Sequence, residues 1–256
     1  MGLSEKFHNR KLIMVFHTAG ISKRHPEILS LVQIDDYEVL DDFVTEDSNL
    51  QSRNHIGYWV REFVRRILSL SGFLATANND FEFAKISKRV ISIRGHYSNR
   101  TVGRNFLWHL NELLNQNPAL PHKEYENSIV IHYRLGDLLN LTDKGPVNSK
   151  SLSREILGKI DQLNPQGCVV FSDSPEEAEK LLPLESNLNF CFLKSSPIIL
   201  LYAGCKGLHF VGTNSKLSYW VISLRSQLYE KCSSIPLSQK SSISTLVANS
   251  SLVSYF

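Results

Sequence analysis

Hydrophobic and polar positions alternate along the first part of the chain in ways that predict short strands and amphipathic helices. A short apolar run at 12–16 predicts a strand. Apolar residues then recur at helical spacing over 58–70, which predicts an amphipathic helix: Trp59, Phe63, Ile67 and Leu70. A strand at 90–93 and a second helix over 106–114 complete the elements predicted for this part of the chain.

From residue 128 onward, apolar strands alternate with helical segments. The pattern predicts four strands, at 129–131, 168–171, 190–193 and 208–211. Helices are predicted between and after them, at 152–163, 198–205 and 218–229, and another begins at Ser174-Pro175-Glu176-Glu177. This order predicts an α/β protein with a parallel sheet and helices on both faces. Ligands bind such sheets outside the carboxyl ends of the strands.

Polar residues suited to binding follow three of the predicted strands. They are His132, Arg134 and Asp137 after the first, Ser172 and Asp173 after the second, and Gly212, Thr213, Asn214 and Ser215 after the last. An arginine presents forked donors to phosphate oxygens, and a helix start such as GTNSKLS offers backbone N–H groups to the same anion. A carboxylate accepts the two N–H groups of a guanine base. Together these residues predict a guanine-nucleotide diphosphate site. A structural ion pair is the alternative for Arg134 and Asp137.

The composition of the 256-residue chain narrows the class of protein. Hydrophobic residues make up 42% and charged residues 21%, which is typical of a globular protein with a large core. The net charge of +3 is too small to indicate nucleic acid as a partner, and no run of about 18 apolar residues predicts a membrane span. We therefore expect a cytoplasmic protein, with peripheral contact at the inner face of the membrane left open. We also expect its four cysteines to be reduced and buried.

Several segments resemble motifs of the α-1,2-fucosyltransferase family, which includes bacterial O-antigen enzymes of the glycosyltransferase family 11 type. IHYRLGDLL is similar to its His-x-Arg-Arg-x-Asp motif, and VVFSDSPEEAEKLL is similar to its strand-Ser-Asp-Asp segment. HFVGTNSKLSYWVISL is similar to its Asn-Ser-x-x-Ser-x-Trp segment, and ISIRGHYSNRTV resembles its earlier Gly-Tyr-Trp-Gln stretch. The segments follow the family's order and cover nearly all of residues 10–230.

The resemblance implies a GT-B-like fold with Rossmann-type parallel sheets, divided into an N-terminal acceptor-side domain at 1–122 and a C-terminal sugar-nucleotide-binding domain at 123–256. It implies transfer of fucose, or a related 6-deoxyhexose, from a GDP-sugar to a hydroxyl of a glycan acceptor, either free or lipid-linked. The transfer would invert the anomeric centre, form an α-1,2 linkage and serve surface polysaccharide or O-antigen synthesis. No metal or other cofactor is expected.

The resemblance also implies a role for each matching residue. Arg134 would hold the β-phosphate and stabilise the leaving GDP, and Asp137 would brace the loop. His132 and Ser172 would line the nucleotide site and Asp173 would bind guanine, while three residues would bind the diphosphate: Asn214, Ser215 and Ser218. His96 and Tyr97 are equally consistent with facing the acceptor and with a structural position.

The chain departs from the family pattern at three places. Leu135 replaces the second arginine, Ser174 stands where a second aspartate is usual, and the family's opening Gly-Gly-Leu-Gly-Asn-Gln loop is not in the sequence. We therefore expect a truncated N-terminal half. These departures motivate a second hypothesis, a degenerate non-catalytic paralogue that binds a sugar nucleotide or a partner protein. A Rossmann oxidoreductase is disfavoured, because no predicted strand is followed by Gly-x-Gly-x-x-Gly.

Overall fold

The computed structural model describes most of the second half of the chain and shorter stretches of the first: residues 12–16, 37–41, 56–77, 80–87, 89–94, 103–120, 125–135, 147–194, 196–236 and 251–256. The chain divides into two compact units, residues 1–101 and 102–256. The predicted helix over 106–114 therefore lies in the second unit, whereas the boundary drawn from the sequence is at residue 122. The assignment of an acceptor side and a donor side to the two domains stays a prediction.

The first unit contains two parallel strand pairs and two helices among its described residues. β1 (Leu12–Phe16) pairs with β2 (Tyr37–Asp41), and β3 (Leu74–Thr76) pairs with β4 (Ser92–Arg94). The helices are α1 (Ile56–Leu70) and α2 (Asp80–Ala84). The predicted strand at 12–16 and the amphipathic helix are confirmed. The hydrophobic pattern did not predict β2, because two of its five residues are acidic, or the short elements β3 and α2.

The second unit is built on one parallel sheet. Its elements are α3 (Arg104–Gln116), β5 (Ser128–His132), α4 (Ser149–Leu163), β6 (Gly167–Phe171), α5 (Pro175–Leu181), β7 (Phe190–Leu193), α6 (Pro197–Lys206), β8 (His209–Val211), α7 (Lys216–Leu224), a π-helical turn (Arg225–Tyr229), β9 (Ser233–Ile235) and β10 (Val253–Tyr255). The six strands lie in the order β10-β9-β8-β5-β6-β7. The predicted α/β fold, with a parallel sheet flanked by helices, is confirmed.

The strand order reverses at the centre of this sheet. From β5 the chain builds outward through β6 and β7, and it then returns to the other side of β5 to add β8, β9 and β10. The loops that follow β5 and β8 therefore lead away in opposite directions. Such a switch point leaves a crevice at the carboxyl ends of the two strands, which is where open α/β sheets bind their ligands.

Alternate residues of β5 pack on opposite faces of the sheet. Ile129 and Ile131 belong to a buried cluster with the apolar side of α4. Val130 lies on the other face, where the end of α6 approaches so closely that a β carbon at Gly207 would lie 2.8 Å from Val130 Cγ2. β5 is buried on both faces, and this burial accounts for its uninterrupted apolar run.

A buried arginine joins the end of α6 to β9. Arg225 is fully buried, and its donors reach the carbonyl oxygens of Gly204 (2.7 Å), Gly207 (2.8 Å) and Cys232 (2.8 Å) and the Ser233 hydroxyl (2.9 Å). Burial lowers the pKa of Arg225 to about 10, so the guanidinium remains charged at neutral pH. It supplies donors to the last carbonyls of α6, which have no partner within the helix.

The last residues of the chain complete the sheet and the core. Val253–Tyr255 forms strand β10 beside β9, and Phe256 packs against the main core cluster. The prediction that all four cysteines are buried needs correction. All four cysteines are free, but only Cys168 and Cys205 are buried. Cys191 is exposed because it lies on β7, the edge strand, and Cys232 is exposed beside β9. Among the described residues, no helix is both long and apolar enough to cross a membrane.

Candidate functional site

The residues that follow β5 and β8 meet at the carboxyl edge of the sheet. Ile131 and Val211 are partners in the parallel register of these strands, so the chain leaves both strands at the same level. The loops are joined directly, because the backbone N–H of Arg134 donates to Thr213 Oγ1 at 3.2 Å. Two of the three groups of polar residues predicted to converge are therefore adjacent.

A buried cluster of one imidazole and two hydroxyls links the end of β5 to the start of α7. His132 Nδ1 lies 2.7 Å from Ser218 Oγ and 3.3 Å from Ser215 Oγ. Ser215 is the N-cap of α7, and its hydroxyl accepts from the backbone N–H of Ser218 at 3.1 Å. The three side chains are buried, so they hold the first turn of α7 against β5. Their direct contact with a ligand stays a prediction.

The electrostatic environment keeps His132 neutral. The pKa of His132 is lowered to about 4, mainly by burial; the charge of Asp173 opposes this shift, and the charge of Arg134 adds to it. At neutral pH the imidazole is thus a hydrogen-bonding group without charge. Arg134, and not His132, therefore carries the positive charge at this point of the site.

A glycine allows α7 to start this close to the sheet. A β carbon at Gly212 would lie 2.9 Å from both Phe210 Cε1 and Ser218 Cβ, which is closer than side-chain packing permits. The backbone N–H of Gly212 also continues the sheet, since it donates to the carbonyl of Ser234 at 2.8 Å. Gly212 follows β8 directly in the sequence, but nothing local in the pattern indicates this close approach.

The exit of β6 braces the loop after β5. Asp173 Oδ1 accepts from the backbone N–H of Leu135 at 2.9 Å, and the Ser172 hydroxyl accepts from the backbone N–H of Ser174 at 3.1 Å. The side chain of Leu135 is fully buried in the core cluster that includes α4. The position that holds a second arginine in the α-1,2-fucosyltransferase motif is therefore a core position in this chain. Sequence reasoning missed the contact between Asp173 and Leu135, since it joins residues on different strands.

The predicted site residues form two layers. Arg134 and Asp173 are half-buried and Asn214 is exposed, so these three lie where a ligand can reach them. Behind them lie the buried residues His132, Ser172, Ser215 and Ser218. An open cleft of about 270 Å³ continues from Asp173 along the start of α5, and it is lined by Asp173, Ser174, Pro175, Glu176, Glu177 and Lys194.

Three residues of the predicted site lie outside the described part of the chain: Asp137, His96 and Tyr97. Their roles, and the alternative ion pair of Arg134 with Asp137, stay predictions. Within the described ranges, no group of three or more histidine, cysteine, aspartate or glutamate side chains is placed to hold a metal ion. Metal independence also stays a prediction.

Comparison with known proteins gives a weak similarity in structure. No family profile and no curated protein sequence matches the chain. A crystal structure of POFUT1 in complex with GDP is similar with a TM-score of 0.36 and 13% identity, over 90% of this chain and 75% of that one. A crystal structure of POFUT1 in complex with GDP-fucose is similar with a TM-score of 0.34 and 14% identity, over 80% and 65% of the two chains. Similarity at this level does not establish a family or an activity for this chain.

Proposed function

We propose that the second unit binds a GDP-sugar at the carboxyl edge of its sheet and that the protein is a glycosyltransferase. The observation that carries the proposal is the junction at the switch point, where the loop that holds Arg134 is hydrogen-bonded to the loop that starts α7. A guanidinium and a helix N-terminus, side by side, provide donors and positive potential for a diphosphate. The exposed Asn214 supplies a further polar group beside them.

The charges around the site support one orientation of the nucleotide. Three carboxylates line the cleft on the β6 side, those of Asp173, Glu176 and Glu177, against one cation, Lys194, so the net negative charge there disfavours a diphosphate. The base therefore lies on the β6 side and the diphosphate on the β5–β8 side. Asp173 is held in place by the N–H of Leu135, and a fixed carboxylate favours guanine, which presents two N–H donors, over adenine and uracil.

The proposed reaction is transfer of fucose, or a related 6-deoxyhexose, from GDP to a glycan hydroxyl, with inversion and without a metal. Negative charge builds on the β-phosphate as the glycosidic bond breaks, and Arg134 and the α7 N-terminus stabilise it there. The α-1,2 linkage, the polysaccharide acceptor and the roles of His96, Tyr97 and Asp137 follow from the resemblance in sequence. We include these details in the proposal on the basis of that resemblance alone.

A non-catalytic nucleotide-binding protein is the second candidate. The observation that favours it is the burial of Leu135 in the core, because the chain then has one cation fewer at the phosphate site than the family motif has. A protein of this kind would bind GDP at the same place but would not transfer or hydrolyse the sugar. Measuring binding and turnover on one preparation distinguishes the two candidates.

Nucleotide titration tests the binding site. Calorimetry should show clearly tighter binding of GDP than of ADP or UDP, and Asp173→Asn should weaken GDP binding more than it weakens binding of the other two. Glu185→Gln, at a solvent-facing carboxylate after α5, is the matched control and should leave GDP binding unchanged. Equal affinity for the three nucleotides would refute the guanine site.

Turnover tests the role of Arg134. Transfer and hydrolysis should be screened with GDP-fucose, GDP-mannose and UDP-sugars, with and without EDTA. Arg134→Lys keeps the charge but loses the forked donors, so we expect kcat to fall by ~10²–10³ with a smaller change in donor KM. Arg154→Lys, an exposed position on α4, is the matched control. A fully active Arg134→Lys variant would remove Arg134 from the mechanism. Separately, loss of activity in EDTA with recovery on adding Mg²⁺ or Mn²⁺ would refute metal independence.

A further inference from the structure

Helix α1 presents a continuous apolar face to solvent. Its 15 residues carry large apolar side chains at the spacing of one helical face: Ile56, Trp59, Val60, Phe63, Ile67 and Leu70. All six are exposed, with Ile56 at 81%, Phe63 at 65% and Leu70 at 90% of their full accessible surface. Single exposed apolar residues are ordinary, but a stripe of six along one helix marks a surface that binds something.

Basic residues are concentrated in the same part of the chain. Residues 56–94 contain seven lysines and arginines and three acidic residues, a net charge of +4. Because the whole chain carries +3, the rest of the chain carries −1. On α1 itself, Arg65 forms an ion pair with Glu62, and Arg66 borders the apolar stripe, three residues after Phe63 and four before Leu70. The segment of sequence that contains the exposed apolar helix therefore carries an excess of positive charge, and two of its arginines, Arg65 and Arg66, lie on the helix itself.

The combination of an apolar face with arginines on the same helix, in a segment of net positive charge, fits one class of partner. An amphipathic helix with tryptophan, phenylalanine and leucine on one side and arginines on the other lies in the plane of an anionic lipid surface. Its apolar face enters the acyl boundary, and its arginines reach the phosphates. At about 1.5 Å per residue α1 is about 22 Å long, which suits a helix lying along the surface and not one crossing it. A second copy of the chain is disfavoured, because it would place one +4 segment against another.

We propose that α1 docks this protein on the surface of an anionic membrane. The surface is formed by the apolar stripe of α1 and the basic residues beside it. This proposal does not depend on the nucleotide site. If the protein binds GDP but not lipid, only the membrane proposal fails; if it binds lipid but not GDP, only the proposed nucleotide site fails. A membrane-bound position would give the protein access to acceptors that are themselves held in the membrane.

Vesicle sedimentation tests the docking surface on the full chain. The protein should bind vesicles of phosphatidylcholine and phosphatidylglycerol (roughly 3:1) at least about tenfold more tightly than vesicles of phosphatidylcholine alone. Phe63→Glu combined with Ile67→Glu should weaken binding to the anionic vesicles by about tenfold or more. Arg65→Gln combined with Arg66→Gln should weaken it by about fivefold for each arginine and leave binding to neutral vesicles unchanged. Trp108→Glu, on α3 at 49% exposure, is the matched control and should bind as the parent does.

Stability and size measurements on the same variants distinguish the other occupants of the apolar face. If the membrane is the partner, the double glutamate variant should melt at the parent temperature, and the parent should be monomeric by light scattering without lipid. A large loss of thermal stability in that variant would mean that another part of the chain covers the apolar face. A dimeric parent protein, with a monomeric variant, would mean that a second copy covers it. Either result would overturn the proposal, as would equal binding to both vesicle types, absence of binding, or equal loss of binding with Trp108→Glu.

Discussion

Lowering the pH from ~7.5 to ~5 should destabilise the folded protein through two buried histidines. Burial lowers the pKa of His132 to about 4 and that of His209 to about 3. Asp173 and Arg134 are the charged neighbours of His132, and Arg225 and Lys159 are those of His209. His209 Nε2 lies 2.9 Å from Ser234 Oγ, which donates its proton to Glu155 at 2.6 Å and therefore accepts a hydrogen bond from the Nε2–H of the imidazole.

The sign and size of the effect follow from linkage. Both folded-state pKa values lie below 6.5, the ordinary value, so the unfolded chain binds protons first as the pH falls. The stabilisation is complete above pH ~6.5 and is lost as the pH falls toward about 4 for His132 and about 3 for His209. Between pH ~7.5 and ~5 each histidine should lose about 2 kcal/mol, or about 4 kcal/mol for both. That loss is a large share of the ~5–15 kcal/mol that keeps a typical domain folded.

Urea unfolding followed by circular dichroism across this pH range measures the loss. His132→Asn places an amide where Nδ1 lies, and His209→Gln places one where Nε2 lies, so each variant keeps a polar group and removes one titration. Each should be less stable than the parent at neutral pH but should show about half of its pH dependence. His109→Asn, at an exposed position on α3, is the control and should keep the full dependence. A parent whose stability is the same at both ends of the range, or a pH dependence that neither variant reduces, would refute the reasoning.

Three further predictions concern packing and reactivity. Gly212→Ala should destabilise the protein by ~1–3 kcal/mol and weaken GDP binding, since the new β carbon would lie 2.9 Å from Ser218 Cβ and push α7 away from the sheet; urea unfolding and calorimetry check this, and a variant with parent stability would contradict it. Arg225→Met should cost roughly 3 kcal/mol or more, because several buried carbonyls lose their donor; a melting curve close to that of the parent would show that these carbonyls are hydrated or repaired. Thiol labelling at about pH 8 should modify the exposed Cys191 and Cys232 quickly and the two buried cysteines slowly, because burial raises the pKa of the buried thiols to about 11 and about 12; four equal rates would rule out this distribution.

The local pattern was sufficient for most elements of the second unit. A helix begins at Pro175 as predicted, because proline lacks the N–H that a first turn leaves unpaired and the two glutamates after it suit the helix dipole. The strand at 190–193 has the predicted bounds. β9 and β10 had no comparable signal. They are three residues each and rich in serine, and their pairing becomes favourable only when the rest of the sheet presents an edge to them.

The composition of the site could also be predicted, but its layers could not. A parallel sheet places all of its strand exits at one edge, so listing the polar residues after the strands was enough to name Arg134, Asp173 and Asn214. Nothing in the order of residues indicates that Asn214 is exposed and its neighbour Ser215 is buried. That difference depends on which side of a turn faces α7.

The contacts that hold the site together are decided by strand order alone. His132 and Ser218 are 86 positions apart and Asp173 and Leu135 are 38 apart, and each pair meets because β5 lies between β8 and β6. The sequence by itself determined strands β5 to β8, their exits and the residue types available there, since these depend on local periodicity and local backbone preference. Only the tertiary structure decided that Leu135 packs in the core and that burial lowers the pKa of His132. Burial and desolvation depend on which residues, distant in sequence, pack around a side chain, and local sequence patterns do not specify those neighbours.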